Sequence, residues 1–167
     1  MSKNRVPLWF IRILLICLIA FNLLVIFFFS AQTAEESSQT SSQVSSVIAG
    51  TVVKDFDRKP ETEQQETVQQ IDPFVRRLAH VAEFGSLGGL ILLLLMTWRG
   101  NSLIRLALSC GSTLVIAVID EGLQGFSEGR STQFQDILCD CLGAIIVCAL
   151  LWAVTRISKH FKKEFDT

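Results

Sequence analysis

Four runs of apolar residues constrain this chain more than any other feature. They cover Leu8–Phe29, Leu78–Trp98, Leu103–Ile119 and Ile137–Val154, and half of the 167 residues are hydrophobic. A hydrocarbon core about 30 Å thick needs roughly 20 apolar residues of helix to cross it. The first two runs reach that length. The last two approach it, and gain it by extension through Asp120-Glu121 and back through Asp136. Apolar residues bunched in this way do not describe a soluble domain, which would spread them at helix or strand spacing. The expected fold is all-α: a polytopic membrane protein of four transmembrane helices in a single domain over residues 1–167. The spans are placed at about 8–29, 78–98, 103–121 and 136–155. A cleaved signal peptide is the rival account of the first run. That run is long for such a segment, and Ala31-Gln32-Thr33 is a poor cleavage site, so it reads as an uncleaved first helix.

The formal net charge is −1, from 15 Lys and Arg against 16 Asp and Glu. That balance argues against a nucleic-acid partner, which leaves a basic footprint. The distribution is far from even. Lys3, Arg5 and Arg12, then Arg99 and Arg105, then Arg156, Lys159, Lys162 and Lys163 fall on one side of four spans. Basic residues in short loops mark the cytoplasmic side. The expectation is a multi-pass protein of the cell membrane with both termini cytoplasmic. Its inner side would carry +7 with Glu164 and Asp166 counted, and its outer side −8.

Residues 32–72, between the first two spans, form a polar outer segment rich in Ser, Gln, Glu and Thr. Val44, Val47, Ile48, Val52 and Phe56 recur at roughly helical spacing, as do Val68, Ile71, Val75 and Leu78. This predicts two amphipathic stretches on the outer membrane surface, parted by a turn near Lys59-Pro60. Asp72-Pro73 has the form of a helix start, with Asp as cap and Pro in the first turn, so the second membrane helix is expected to begin at Pro73. Cys17, Cys110, Cys139, Cys141 and Cys148 show neither metal spacing nor a persuasive disulfide pattern, and read as small apolar filler.

Ionisable residues inside spans are costly and need a reason. Arg76, His80, Glu83 and Leu87 share one helix face, with Arg77 beside it. Asp120, Glu121 and Gln124 close the third helix. Asp136, Asp140 and Gly143 share a face of the fourth, behind Thr132-Gln133-Phe134-Gln135, which has capping-box form. All three clusters lie toward the outer ends of their helices. They predict one polar pocket at the outer leaflet, built from the second, third and fourth membrane helices over a Leu-rich floor. Gly85, Gly88, Gly89 and Gly143 are small enough for close helix approach. Ser30 and Gln32 fall at the same depth. Ion pairing that merely holds the helices together would also account for these charges.

These residues resemble the VanZ family of small bacterial membrane proteins, and the resemblance covers most of the chain. Phe29-Ser30-Ala31-Gln32 is similar to the family's Phe-Ser-x-Gln. Arg76-Arg77-Leu78-Ala79-His80 with Glu83-Phe84 and Leu87-Gly88 is similar to its Arg/Lys-x-x-His and Phe-x-x-Leu-Gly. Asp120-Glu121-Gly122-Leu123-Gln124 matches Asp-Glu-x-x-Gln, and Gly129-Arg130 with Asp136, Asp140 and Gly143 matches Gly-Arg followed by Asp-x-x-x-Asp-x-x-Gly. The resemblance implies a cell-envelope protein and a link to low-level resistance to the glycopeptide teicoplanin.

Three functions follow. In the first, the pocket binds the headgroup of a membrane lipid, a wall precursor or a lipoglycopeptide. Ser30, Gln32, Arg76, Arg77, Asp120, Gln124 and Arg130 are the candidate binding residues, since guanidinium suits phosphate and carboxylate. In the second, the protein is an intramembrane enzyme acting on such a headgroup, with His80 as acid or base and Glu83, Glu121, Asp136 or Asp140 orienting it. In the third, it is a structural partner of another envelope protein through the outer segment. One His among several acids with Arg neighbours is a poor metal set, so neither metal nor cofactor is expected.

Overall fold

The computed structural model describes residues 6–165, with side chains through Ser158. Five α-helices and one 3-10 turn account for the described chain, and no strand occurs among these residues: α1 Leu8–Ser30, α2 Ala34–Val52, a 3-10 turn Phe56–Arg58, α3 Glu61–Met96, α4 Ser102–Gln124 and α5 Phe134–Phe165. Helices α1, α3, α4 and α5 are long and apolar enough to cross a membrane. This agrees with the expected four spans: α1 and α4 run a little beyond their apolar runs, α3 begins 17 residues before its run, and α5 continues 11 residues past its own.

Small residues set the packing. Gly85 and Gly89 of α3 lie against Gly143, Val147 and Leu151 of α5, so these two helices run parallel. A Cβ on Gly143 would collide with the carbonyl oxygen of Val81, a contact only glycine permits. Helix α4 follows α3 after a five-residue connection and its Ser109 donates 2.7 Å to the Gly88 carbonyl, so α4 folds back antiparallel to α3. Arg12 of α1 donates to the Thr97 hydroxyl and carbonyl, both at 3.0 Å, and stacks 4.5 Å over the Trp98 ring, so α1 also runs antiparallel to α3. Ile26, Phe84, Leu87 and Ala117 form the buried core where α1, α3 and α4 meet. Most remaining large apolar side chains point outward, as a lipid solvent requires.

With this topology Arg12, Arg99, Arg105 and Arg156 gather at one end of the bundle, and the intrahelical acids at the other. Lys3, Arg5 and Asp166, and the side chains of Lys159, Lys162, Lys163 and Glu164, lie outside the described residues.

The second membrane helix does not begin at Pro73. Helix α3 starts at Glu61, just after the turn at Lys59-Pro60, and continues through Pro73 for 36 residues, about 54 Å. A helix interior normally loses about 3 kcal/mol at proline. Here neighbouring contacts override that signal. The carboxylate of Asp72 does not cap a helix. It accepts from Ser41 (3.1 Å) and Ser45 (2.8 Å) of α2. Helix α2 starts in a true capping box of Thr33 and Glu36 and packs antiparallel on the N-terminal third of α3. The two outer stretches are therefore helical, but they form a hairpin continuous with a membrane helix rather than separate surface-lying helices. Phe56 closes the hairpin turn beside Gly50 and is 4% exposed.

Candidate functional site

The hairpin roofs a cavity. About 160 Å³ of space lies between α1, α2, α3 and the end of α4. Its polar wall is Arg76, His80, Glu83, Asp120, Gln124 and Arg130. Its apolar surfaces come from Ile26, Phe29, Val44, Val75 and Ala79, and Ser30, Gln32, Ser37, Thr40 and Ser41 complete it. Arg76 and Met96 are separated by twenty residues of one helix, about 30 Å, the thickness of a hydrocarbon core. With Met96 at one boundary, Arg76 stands at the other and Glu83 about 10 Å inside.

One hydrogen-bonded network fixes the back of the cavity. Asp120 is 1% exposed and both its oxygens are engaged, one by the Ser30 hydroxyl and the other by the Gln124 amide at 2.8 Å. The Gln124 carbonyl accepts from Arg130, whose second guanidinium nitrogen donates 3.1 Å to the Phe29 carbonyl near the end of α1. Ser127 donates to the Ser30 carbonyl, and Ala34 donates its backbone N–H to Glu128. The loop after α4 thus clasps the junction of α1 and α2. Gly129 adopts φ +74° in that loop, and a Cβ there would lie 3.1 Å from Ala34, so glycine is required both for its backbone and for the close approach. Burial, and then the like charge of Arg76, lower the pKa of the Arg130 guanidinium from its ordinary value, with Glu121, Asp120 and Asp136 opposing. Guanidinium remains cationic under any such shift. Both arginines line the cavity, and their charges are alike.

A second unit stands behind the first. His80 Nδ1 lies 2.9 Å from Asp140 Oδ1, and Asp140 is 1% exposed. Asp140 Oδ2 has no partner among the described residues. Glu121, 3% exposed, accepts the backbone N–H of Gln133 immediately before α5 begins at Phe134, so a carboxylate from α4 serves this helix start in place of the anticipated Thr132 box.

The structure brings Ser30, Gln32, Arg76, His80, Glu83, Asp120, Gln124 and Arg130 to one cavity. Asp140 reaches it only through His80, and Glu121 and Asp136 do not line it. Arg77 is exposed and lies 3.5 Å from Gln135. The walls also differ from expectation: α1 and α2 stand where α5 was placed, and no leucine lines the floor, because α5 is drawn against the far side of α3 by Gly143. Sequence reasoning missed Ser37, Thr40 and Ser41. The signal was present, since Ser37, Ser41 and Ser45 recur every fourth residue opposite Asp72, Arg76 and His80, which do the same. Among the described residues no group of three or more His, Cys, Asp or Glu is arranged to hold a metal ion.

Helices that cross a membrane, with a polar cavity at one end, define the class: a small polytopic α-helical membrane protein. The family model VanZ/LLP1 matches residues 11–156, and the chain belongs to that family. No curated protein and no solved structure matches it.

Proposed function

We propose that this VanZ-like membrane protein binds the headgroup of an amphiphile in the cavity beneath the α2–α3 hairpin, at the outer face of the cell membrane with both termini in the cytoplasm. The observation that carries the reading is the cavity itself: buried, fully hydrogen-bonded polar groups at its back and apolar side chains of α1, α2 and α3 around it. Its volume, about 160 Å³, is below the ~300 Å³ typical of pockets that enclose a drug-sized molecule. A headgroup suits it, and a whole glycopeptide does not. A membrane lipid, a wall precursor or one end of a lipoglycopeptide would present such a group, and the last two connect the reading to teicoplanin-type resistance. The basic residues at the opposite end of the bundle support the orientation.

The test fills the cavity. Ala79→Phe adds a ring at its wall, at a position exposed to the cavity rather than packed in the core. Purified wild type should retain lipid through detergent exchange and native mass spectrometry, and Ala79→Phe should lose it. Equal retention by both proteins refutes the reading.

The His80–Asp140 pair favours a second function. A carboxylate on Nδ1 orients an imidazole so that its other nitrogen is available to a substrate. In that reading the protein is an intramembrane enzyme modifying the bound headgroup, with His80 moving a proton. Lipid and wall inventories of cells with wild type or His80→Gln would differ by a modified species. Identical inventories count against catalysis. The third function, partnership with another envelope protein, draws on Val47 and Val52, which point away from the chain at 71% and 77% exposure.

A further inference from the structure

Two opposite charges on the cavity wall remain once the network is satisfied. Asp120 has both oxygens engaged, Arg130 spans Gln124 and Phe29, and His80 holds Asp140. The Arg76 guanidinium makes one hydrogen bond, 3.3 Å to the neutral hydroxyl of Ser37, and among the described residues no carboxylate lies within 4.0 Å of it. The Glu83 carboxylate makes neither a hydrogen bond nor an ion pair among these residues. Only its backbone carbonyl is used, by Ser86. Both side chains are half-buried and both line the cavity. They stand seven residues apart on α3, about 10 Å along the axis, so they do not neutralise each other.

An unpaired ion at membrane depth is expensive unless something of opposite charge meets it. A purely anionic headgroup would satisfy Arg76 and leave Glu83 facing a like charge. A purely cationic one would do the reverse. We infer that the headgroup this cavity takes is zwitterionic, with a phosphate or carboxylate at Arg76 and an N–H-bearing amine at Glu83. The inference rests on the reading of the cavity as a headgroup site. The surroundings of each charge agree with it. The Ser37 hydroxyl, which accepts from Arg76, keeps its own proton free on the α2 wall, where an anion's oxygens need donors. With Met96 at the opposite boundary, Arg76 falls at the interfacial depth where a lipid phosphate sits. Glu83 lies deeper, near apolar Ile26 and Ala79, so an amine reaching it turns inward from the membrane surface. A quaternary ammonium would bring charge but no donor, and charge-assisted hydrogen bonds are the stronger kind.

The experiment titrates the full-length protein in detergent with phosphatidylethanolamine, phosphatidylglycerol and phosphatidylcholine of one acyl composition, read by native mass spectrometry. Wild type should prefer phosphatidylethanolamine over each of the others by roughly tenfold, the worth of one hydrogen bond to a charged group. Glu83→Gln should erase the preference over phosphatidylglycerol, and Glu83→Asp should keep it. Arg76→Gln should weaken phosphatidylethanolamine and phosphatidylglycerol alike. Wild type that binds the three lipids equally, in a manner Ala79→Phe abolishes, overturns the zwitterion and leaves the headgroup site standing. Retention insensitive to Ala79→Phe overturns the site itself. Should Glu83→Gln fail to fold, the ranking of lipids on wild type decides alone.

Discussion

The Nδ1 of His80 and the Oδ1 of Asp140 lie 2.9 Å apart across the α3–α5 interface, sixty residues from one another in the chain. Breaking a buried pair by removing one partner typically costs about 3–5 kcal/mol, whereas removing both costs far less. Asp140→Leu alone should therefore destabilise the protein strongly, and adding His80→Leu should recover much of the loss. A double-mutant cycle in a detergent unfolding titration measures the coupling. Additive single effects would show that the pair is not coupled.

The same interface depends on Gly143. A Cβ there would meet the Val81 carbonyl, backbone that has nowhere to go, while Gly111 of α4 has open space around it. Gly143→Ala should lower the melting temperature in detergent sharply, or abolish folded protein. Gly111→Ala should be neutral, or stabilise by up to about 1 kcal/mol through helix propensity. Equal melting temperatures for the two variants would contradict the packing described for α3 and α5.

Asp72 holds the hairpin together by accepting from Ser41 and Ser45, and Ser45 is fully buried. Asp72→Ala leaves a buried hydroxyl without its acceptor, a loss of about 1–3 kcal/mol. Hydrogen exchange in α2 should accelerate by one to two orders of magnitude while α4 stays unchanged. A uniform response of all helices would mean that the hairpin does not open as a unit.

Orientation has its own measurement. On a cysteine-free background, Glu63→Cys should react with a membrane-impermeant maleimide on intact cells, and Asn101→Cys only after permeabilisation. The reverse pattern would place the cavity on the cytoplasmic side and remove its claim on envelope ligands.

The four spans were legible because lipid demands long apolar runs, and α1 and α4 follow those runs closely, while α5 continues past its own to Phe165. The path of α3 was not. Residues 61–72 are polar, and Pro73 is an ordinary boundary signal, so only the tertiary tie from Asp72 to α2 reveals that the helix passes through. The polar side chains of the cavity were legible one helix at a time, as Arg76-x-x-x-His80-x-x-Glu83 and Asp120-x-x-x-Gln124. Which of them share a space was not, because that depends on the rotation of each helix. Gly143 decides it: by seating α5 against Val81 it turns Asp140 toward His80 and away from the cavity, and leaves the remaining side to α1 and α2.

The unbroken course of α3 through Pro73 has a mechanical consequence. Roof and wall share one rod, so they part only if α3 bends at Pro73, where the backbone hydrogen bond is missing. The joints of the hairpin are the short connections at Gln32–Thr33 and Val53–Pro60. Helix α2 is thus a panel of the chamber that crosses no membrane, latched to α3 by Asp72 with its two serines and to the loop after α4 by Ala34.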